Sequence, residues 1–490
     1  MPFENLSDYL SLLEQRKQLA RLRSPISPIL EITEITDRVC KGPAEQNRAL
    51  LFESLPGYDI PVLINAFGSE QRMAWALGVD HLEELNTRLS ALLDVRLPQG
   101  WRETLGRGQD MLRVIKSIGL KPKNVRRAPV QEVVNHKDPS LDFLPILKCW
   151  PKDGGQFITL PQVITRDPQS GVRNVGMYRL QVIDERRLLV HWQRHKGGAE
   201  HERAARQARK ETIPAAIVLG GDPACMWCAS APLPPNIDEY LLAGYLRGAP
   251  VEFVRCVSQP LEVPAHAEIV IEGTIDPNQH LPEGPFGDHT GYYTPVEPFP
   301  VFQVTAITQR TKPIYPATVV GVPPQEDMWM GKATERLFLP LIRLFLPEVV
   351  DLNLPAEGVF HNLALVSIRK RYPGQARKVI FGLWGLALMS LTKTIVIFDE
   401  WVDVQNLSEA AWQALGNVDW MRDAILVNGP VDQLDHASYQ NSFGGKMGVD
   451  ATAKLPEEGY ARGWPEVARM EATVKQRIDQ IWDDLGLTDG

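Results

Sequence analysis

The sequence predicts a multidomain α/β protein (α+β in detail), with two stretches of helix–strand alternation flanking a middle built from strands and turns. Three observations carry this. At 490 residues the chain exceeds one ordinary core and divides into roughly three domains. Helix and strand signals alternate before residue 125 and again after 321, the grammar of a helix-covered sheet. Between them strands follow one another across turns, which points to a β-barrel or sandwich with one inserted helix. The division is therefore 1–125, 126–320 and 321–455, followed by a helical tail, 456–490.

The elements follow in order. Ser7 is placed to cap a helix carrying Tyr9, Leu10, Leu12 and Leu13. The apolar runs Ala49–Phe52 and Pro61–Ile64 predict buried strands, then come a helix capped near Ser69 and another over Leu82–Leu93. Lys121–Ala128, rich in Lys, Arg and Pro, reads as a linker. Phe157–Thr165 and Val172–Ile183 flank the turn Asp167-Pro168-Gln169-Ser170-Gly171, and Leu188–Gln193, Thr212–Leu219, Val251–Val257, Glu268–Ile275 and Val301–Ile307 continue the strands. Ile237–Arg247 is the inserted helix. Beyond 321 the order is helix Ala333–Leu346, strand Leu363–Ile368, helix Ala376–Leu391, strand Thr394–Phe398, helix Glu409–Leu415 and strand Ala424–Val427, which argues a parallel sheet. A last helix, Pro465–Leu485, has apolar positions suited to docking on a second subunit.

Composition excludes several classes. Hydrophobic residues at 44% and charged residues at 23% describe a globular chain, and a net charge of -8 with no basic stripe argues against a nucleic-acid partner. Five scattered cysteines fit reduced thiols in a cytoplasm. The apolar stretch Val379–Phe398 is interrupted by Lys393 and reads as a buried helix running into a buried strand, not a membrane span. No Gly-x-Gly-x-x-Gly, P-loop or Gly-x-Ser-x-Gly is present, which disfavours a Rossmann dinucleotide site, an NTPase and a serine hydrolase. Cys225-Met226-Trp227-Cys228 is a lone C-x-x-C whose Met and Trp suggest packing.

The chemistry concentrates in three places. Glu283-Gly284-Pro285-Phe286-Gly287-Asp288-His289-Thr290-Gly291-Tyr292-Tyr293 is a shaped loop holding two carboxylates and an imidazole. Arg173-Asn174-Val175-Gly176-Met177-Tyr178-Arg179 is a strand polar on both faces, with a solvated edge as its ordinary explanation. His191-Trp192-Gln193-Arg194-His195-Lys196-Gly197-Gly198 follows, and Lys196-Gly197-Gly198 has the composition of a turn that approaches phosphate. Glu239 opens the inserted helix, where complementing the helix dipole is its simplest role. Asn, His and Glu together make an oxygen and nitrogen donor set without thiolate, suited to Mn²⁺ or Mg²⁺ with a phosphate beside it. Two carboxylates five residues apart beside an arginine form a tunable acid–base unit.

At these residues the sequence resembles the UbiD family of prenylated-flavin-dependent (de)carboxylases of aromatic and α,β-unsaturated acids. The strongest blocks are Asn174–Arg179, Pro264–Glu272, Glu283–Tyr293 and Gly444-Gly445-Lys446-Met447-Gly448-Val449-Asp450-Ala451-Thr452, and the resemblance runs essentially end to end. It implies an N-terminal α/β domain, a split β-barrel of flavin-reductase type that holds the cofactor, and a C-terminal α/β domain used for oligomerisation, as a dimer or hexamer.

It further implies prenylated FMN bound through its phosphate to Mn²⁺ (or Mg²⁺), with K⁺ a further candidate near Cys228-Ala229-Ser230-Ala231. The metal ligands would be Asn174, His195 and Glu239. The flavin would touch Met177, Tyr178, Arg179, His191, Trp192, Gln193, Lys196, Gly197 and, less securely placed, Lys393. The catalytic set falls on Arg179, Glu283 and Asp288. Arg179 would hold the substrate carboxylate, Asp288 would deliver the proton from a raised pKa on a loop free to swing, and Glu283 would align both. Tyr292 and Tyr293 are expected to pack.

The blocks Glu335–Pro340 and His361–Ala364 resemble members assigned to menaquinone formation, while other members act on polyprenyl-4-hydroxybenzoate. The substrate expected is thus an aromatic ring acid of quinone biosynthesis, with membrane contact at most peripheral, through a lipid-like substrate. Met328–Met330 and Phe338–Phe345 could line an apolar channel, although such runs are more often core. A flavin prenyltransferase is implied as cofactor supplier. The rival readings are a flavin-binding oxidoreductase module and a non-catalytic assembly subunit.

Overall fold

The computed structural model describes residues 3–96, 120–234, 237–460 and 462–485. Of the predicted N-terminal unit, 97–119 lie outside the described residues, as do the last five residues of the predicted tail.

Near the N-terminus, helix Leu6–Gln15 buries Leu6, Tyr9, Leu10 and Leu13. Its cap is Asn5, whose side chain accepts from the Asp8 amide, and Ser7 lies inside the helix. Asn5 wins because the capping oxygen must stand outside the first turn to reach the amide three residues on. Ser69 does cap its helix, Glu70–Ala76, accepting from the Arg72 amide. A four-stranded sheet orders Leu19–Leu22, Ala49–Phe52, Val62–Ile64 and, from far along the chain, Tyr315–Pro316.

The central segment is dominated by one nine-stranded sheet. Its spatial path is Phe157–Ile158, Leu180–Asp184, Arg187–Val190, Glu297–Gln309, Ile269–Glu283, Ile213–Leu219, Gln162–Arg166 and Arg173–Gly176, with Val133–Asn135 pairing the side of Glu297–Gln309. All these pairings are antiparallel. The path has two ends and does not close, so the closed form of the expected barrel is not what the described strands make. Two apolar clusters pack against this sheet. One joins Ile164, Ala216, Val218 and Val270 to the N-terminal helices. The other joins Val163, Ile217, Ile271 and Phe302 to Phe52 and Ile64.

The strand predicted over Val172–Ile183 breaks in two. Arg173–Gly176 and Leu180–Asp184 lie at opposite ends of the sheet path, with Met177–Arg179 crossing between them. Met177, Tyr178 and Arg179, which read as strand faces, are therefore on a crossover. A helix, Gly197–Gln207, stands where two glycines suggested a turn.

The C-terminal segment has a five-stranded sheet ordered Val349–Asn353, Leu363–Ile368, Thr394–Asp399, Phe443–Asp450 and Ala424–Pro430. Its inner pairings are parallel as expected, but both edges are antiparallel, so the sheet is mixed. The edge strands carry the difference: neither is reached through a covering helix from its neighbour in the sheet. Of the runs Met328–Met330 and Phe338–Phe345 in helix Glu326–Phe345, Met330, Leu339 and Leu341 are core, whereas Met328, Trp329 and Phe338 are half-buried. Cys225 and Cys228 are buried and unpaired, as packing residues would be. Among the described residues no helix is long and apolar enough to cross a membrane.

Candidate active site

The crossover and the loop 284–293 meet. Arg179 reaches Glu283 through Nε at 2.8 Å and a second nitrogen at 3.2 Å, and its remaining nitrogen pairs with Asp288. Glu283 is 0% exposed and Asp288 5% exposed. Arg179 also lies over the Phe286 ring, 4.7 Å from its centre. A guanidinium held on three sides has one arrangement, which is what a carboxylate receptor needs.

His191 completes the cluster. Its Nδ1 stands 2.7 Å from an Arg179 nitrogen and 3.1 Å from Glu283 Oε2, so it either accepts from the guanidinium or donates to the carboxylate. Burial and the Arg179 charge push its pKa down, its ring stacks 4.0 Å from Phe299, and its buried Nε2 has no partner.

Burial alone would raise both acids. Against it, the Arg179 charge and the Arg179 and His191 bonds hold Glu283 at about 2. Burial likewise pushes Asp288 up, but Arg179 and His289 outweigh it and hold Asp288 well below the usual carboxylate range. The raised pKa expected for Asp288 is thus absent while Arg179 is paired to it.

The loop does not swing freely either. Gly154 N–H donates to the Pro285 carbonyl at 2.8 Å, Gly287 N–H to Asp153 at 2.8 Å, Phe286 N–H to Thr294 Oγ1 at 3.1 Å and Gly284 N–H to Gln181 at 2.7 Å. Gly284 has φ +97, a conformation that needs glycine. Tyr292 and Tyr293 are exposed, against the expectation that they pack, although Tyr292 touches His436 and Tyr293 accepts from the Lys152 amide.

A second corner lies at the other end of the crossover. Glu239 begins helix Glu239–Arg247, capped by Asp238, and its Oε2 accepts from the Val175 amide at 2.8 Å. Asn174 is the neighbour of Val175 and bonds Tyr178 Oη at 3.2 Å. Its Oδ1 sits over Gly197, where a Cβ would fall 1.9 Å away. Tyr178 Oη also accepts from the Gly198 amide at 3.1 Å, at the start of helix Gly197–Gln207. Asn174, Glu239 and the helix start therefore converge. His195 precedes that helix by two residues, but among the described residues it bonds neither Asn174 nor Glu239.

The remaining expected contacts divide. Met177 is fixed by its amide to the Ala229 carbonyl at 2.8 Å. Trp192 is buried, donates to Glu202 at 2.6 Å and meets Tyr178 edge-on. Gln193 and the Arg194 amide reach Asp432 and Gln433, each at 3.4 Å. Lys393 pairs with Asp435 at 3.0 Å. The Ser230 hydroxyl donates to the Trp227 carbonyl at 2.7 Å.

The donor set fits a divalent cation beside a phosphate. Burial pushes Glu239 up to about 8, so this carboxylate lacks a positive partner close enough to offset its desolvation. Burial pushes Lys196 and His195 down, as for basic groups without a bonded acid. Lys196 stands at the N-terminus of an 11-residue helix with no side-chain cap, where backbone N–H groups favour an anion. Among the described residues no cluster of three or more His, Cys, Asp or Glu side chains able to hold a metal ion forms, at this corner or elsewhere.

Thr294 and His361 are the site residues that sequence reasoning left out, whereas His289 lay inside the quoted loop. Thr294 lies one residue beyond the quoted loop and His361 within a block read only for substrate kinship. The signal for both was adjacency to a motif, which says nothing about spatial contact.

The fold is that of a multidomain α/β protein of carboxy-lyase type. Models of the 3-octaprenyl-4-hydroxybenzoate carboxy-lyase N-terminal, Rift-related and C-terminal domains match residues 10–92, 123–323 and 328–451. The chain belongs to the UbiD family. An uncharacterised protein of Aquifex aeolicus is 53% identical over 99% of both chains. The UbiD-class enzyme HmfF of Pelotomaculum thermopropionicum, solved with FMN, is 30% identical with a TM-score of 0.78, over 96% of this chain and 99% of that one. Vanillic acid decarboxylase of Sedimentibacter hydroxybenzoicus, closed form, is 27% identical with a TM-score of 0.85, over 99% of each chain.

Proposed function

We propose that this protein is a prenylated-FMN-dependent, non-oxidative decarboxylase of an aromatic acid, a ring carboxylate on a quinone-forming route. The observation that carries the reading is the buried Arg179–Glu283–Asp288 ion cluster, two segments more than 100 residues apart joined at one guanidinium. The prenylated flavin, when bound, supplies the electron sink that removal of CO₂ from an sp² carbon requires. The chain supplies the rest.

Asn174, His195 and Glu239 would hold Mn²⁺ or Mg²⁺ against the flavin phosphate, with Lys196 and the Gly197 helix start as further anion donors. Met177, Tyr178, His191, Trp192, Gln193 and Lys393 would wall the flavin, in an open sheet we read as a split barrel of flavin-reductase type. Arg179 receives the substrate carboxylate. As its guanidinium turns to that anion, Asp288 loses its strongest partner, its proton affinity rises, and it becomes competent to protonate the ring carbon. Glu283, held by His191 as well, keeps Arg179 charged and aligned. Domain limits at 125, 320 and 455, a cytoplasmic location, a flavin prenyltransferase as supplier and a K⁺ near Ser230 belong to the same reading.

The exposed faces support a homo-oligomer. Leu415, Met421, Leu426 and Tyr439 are 74, 95, 78 and 76% exposed, and Met470, Val474 and Trp482 line the tail. The test is CO₂ release from 4-hydroxybenzoate and naphthoate acids by holoprotein made with a flavin prenyltransferase. Release from one of them supports the reading, and release from none refutes the substrate class.

A further inference from the structure

Each decarboxylation of this kind consumes one proton: the electrons of the broken C–C bond stay on the ring carbon and must form a C–H bond. Asp288 can pass that proton on, but in the resting site it is ionised, held by Arg179, and largely buried. A source must lie beside it.

His289 Nδ1 stands 2.8 Å from Asp288 Oδ1, and the His289 amide donates to the same oxygen at 2.7 Å. A carboxylate only accepts, so Nδ1 carries a proton. The other nitrogen, Nε2, faces His361 Nε2 at 2.9 Å. Two lone pairs cannot share that distance, so one proton lies between the rings. The second nitrogen of His361, Nδ1, is buried without a partner. The pair spans two parts of the chain: His289 on the central loop, His361 just before strand Leu363–Ile368 of the C-terminal sheet.

The backbone that delivers His361 is strained. Val359 and Phe360 have φ 44 and 49, the left-handed region a β-branched or aromatic residue seldom adopts. Four backbone bonds hold the segment there, from Val359, Phe360, His361 and Asn362 to the turn before it. Phe360 packs on Gly331, where a Cβ would come within 2.9 Å, and stacks on His289 with centres 5.3 Å apart. The left-handed backbone closes the turn Ala356–Gly358 at Val359 and brings the His361 ring to His289.

Resting on the decarboxylase reading, we propose that His289 and His361 hold between them the proton that each turnover consumes, and that His289 Nδ1 hands it to Asp288. His289 touches a catalytic residue, while His361 is a positioning residue that acts through it. The starting state has His289 as the imidazolium, protonated on both nitrogens, and His361 as the neutral acceptor: the Nδ1–H bond of His289 breaks, the Asp288 O–H bond forms, and that proton then closes the C–H bond. His289 is left neutral, donating through Nε2 to His361. No oxidant or reductant is involved, and the proton is replaced from solvent between turnovers.

The charges around the pair agree with this. His289 faces Asp288, Asp327 at the start of helix Glu326–Phe345, and Asp432 after strand Ala424–Pro430. His361 faces His289, Lys196 and Asp432. Burial opposes charge on both rings, yet the carboxylates raise His289, whereas burial and His289 press His361 down to about 4. Asp327, pushed up by burial to about 7 and drawn back by His289, is the nearest second acid.

The test begins with ligand-free protein carrying ¹⁵N-histidine. Ring ¹⁵N spectra over pH 6–9 should show one imidazolium hydrogen-bonded to a neutral ring through pH 7.5, which is assigned by loss of both patterns in His361→Gln. In holoenzyme, His361→Gln should lower kcat about 100-fold, the range of a lost acid–base partner. KM should stay within about twofold, and the alkaline fall of kcat should move to lower pH. Two neutral rings at pH 7, or a variant with wild-type kcat and wild-type alkaline limb, would overturn the proposal. If His361→Gln does not fold, His361→Asn supplies both the assignment and the kinetic comparison. Failure of wild-type holoenzyme to release CO₂ from any aromatic acid overturns the decarboxylase reading instead, whatever the rings show.

Discussion

Residue by residue, the site is governed by one buried cation and what it must balance. Removing Arg179 leaves Glu283 and Asp288 buried and unpaired, so Arg179→Met should destabilise the protein by about 3–5 kcal/mol, read as a lowered denaturant midpoint. Glu283 also sets an acid limit. Its folded pKa, about 2, lies below its ordinary value of 4.5, so its contribution is complete above pH 4.5 and is lost as pH falls toward 2. The shift corresponds to about 3 kcal/mol, and Glu283→Gln should flatten the stability profile over that window. Little of this was legible from the residues alone. Arg179 and Glu283 are 104 positions apart, and only the family resemblance joined them. The raised pKa that the resemblance implied for Asp288 is not found, because Arg179 stays on that carboxylate.

At the scale of elements, the helix Gly197–Gln207 shows how glycine misleads. Two glycines at its start read as a turn, yet Asn174 Oδ1 occupies the space of a Gly197 side chain and the Trp192 ring that of a Gly198 side chain. Gly197→Ala should push Asn174 aside and weaken FMN binding at least about tenfold, on the order of 1.4 kcal/mol, with the fold retained by circular dichroism. Mn²⁺ should raise the melting temperature of wild type by several degrees at saturating metal and leave Glu239→Gln unchanged. Strands with long apolar runs were legible: Leu363–Ile368 matches its prediction, and Thr394–Asp399 extends it by one residue. Phe443–Asp450 was not, since Gly444, Gly445 and Gly448 erase the alternation by which a strand is recognised.

For the whole molecule, the division into α/β, β-rich and α/β parts was readable because hydrophobic period changes with architecture. How the sheets close and which edges run antiparallel was not, because register and closure depend on pairings between distant strands. The apolar residues on the C-terminal face give a further expectation. Met421→Arg with Leu426→Arg should reduce the oligomer to smaller species by light scattering while leaving each subunit folded.

The central claim is that the Arg179 cluster works beside a prenylated flavin on an aromatic acid. It is met most directly by coexpressing the chain with a flavin prenyltransferase, identifying the released cofactor by mass and absorbance, and following CO₂ from an aromatic acid in wild type and Asp288→Asn. The expected result is prenylated FMN in both proteins, with CO₂ release in wild type and at least about 100-fold less in the variant. Ordinary FMN with NAD(P)H oxidation, or turnover indifferent to the loss of Asp288, would contradict it.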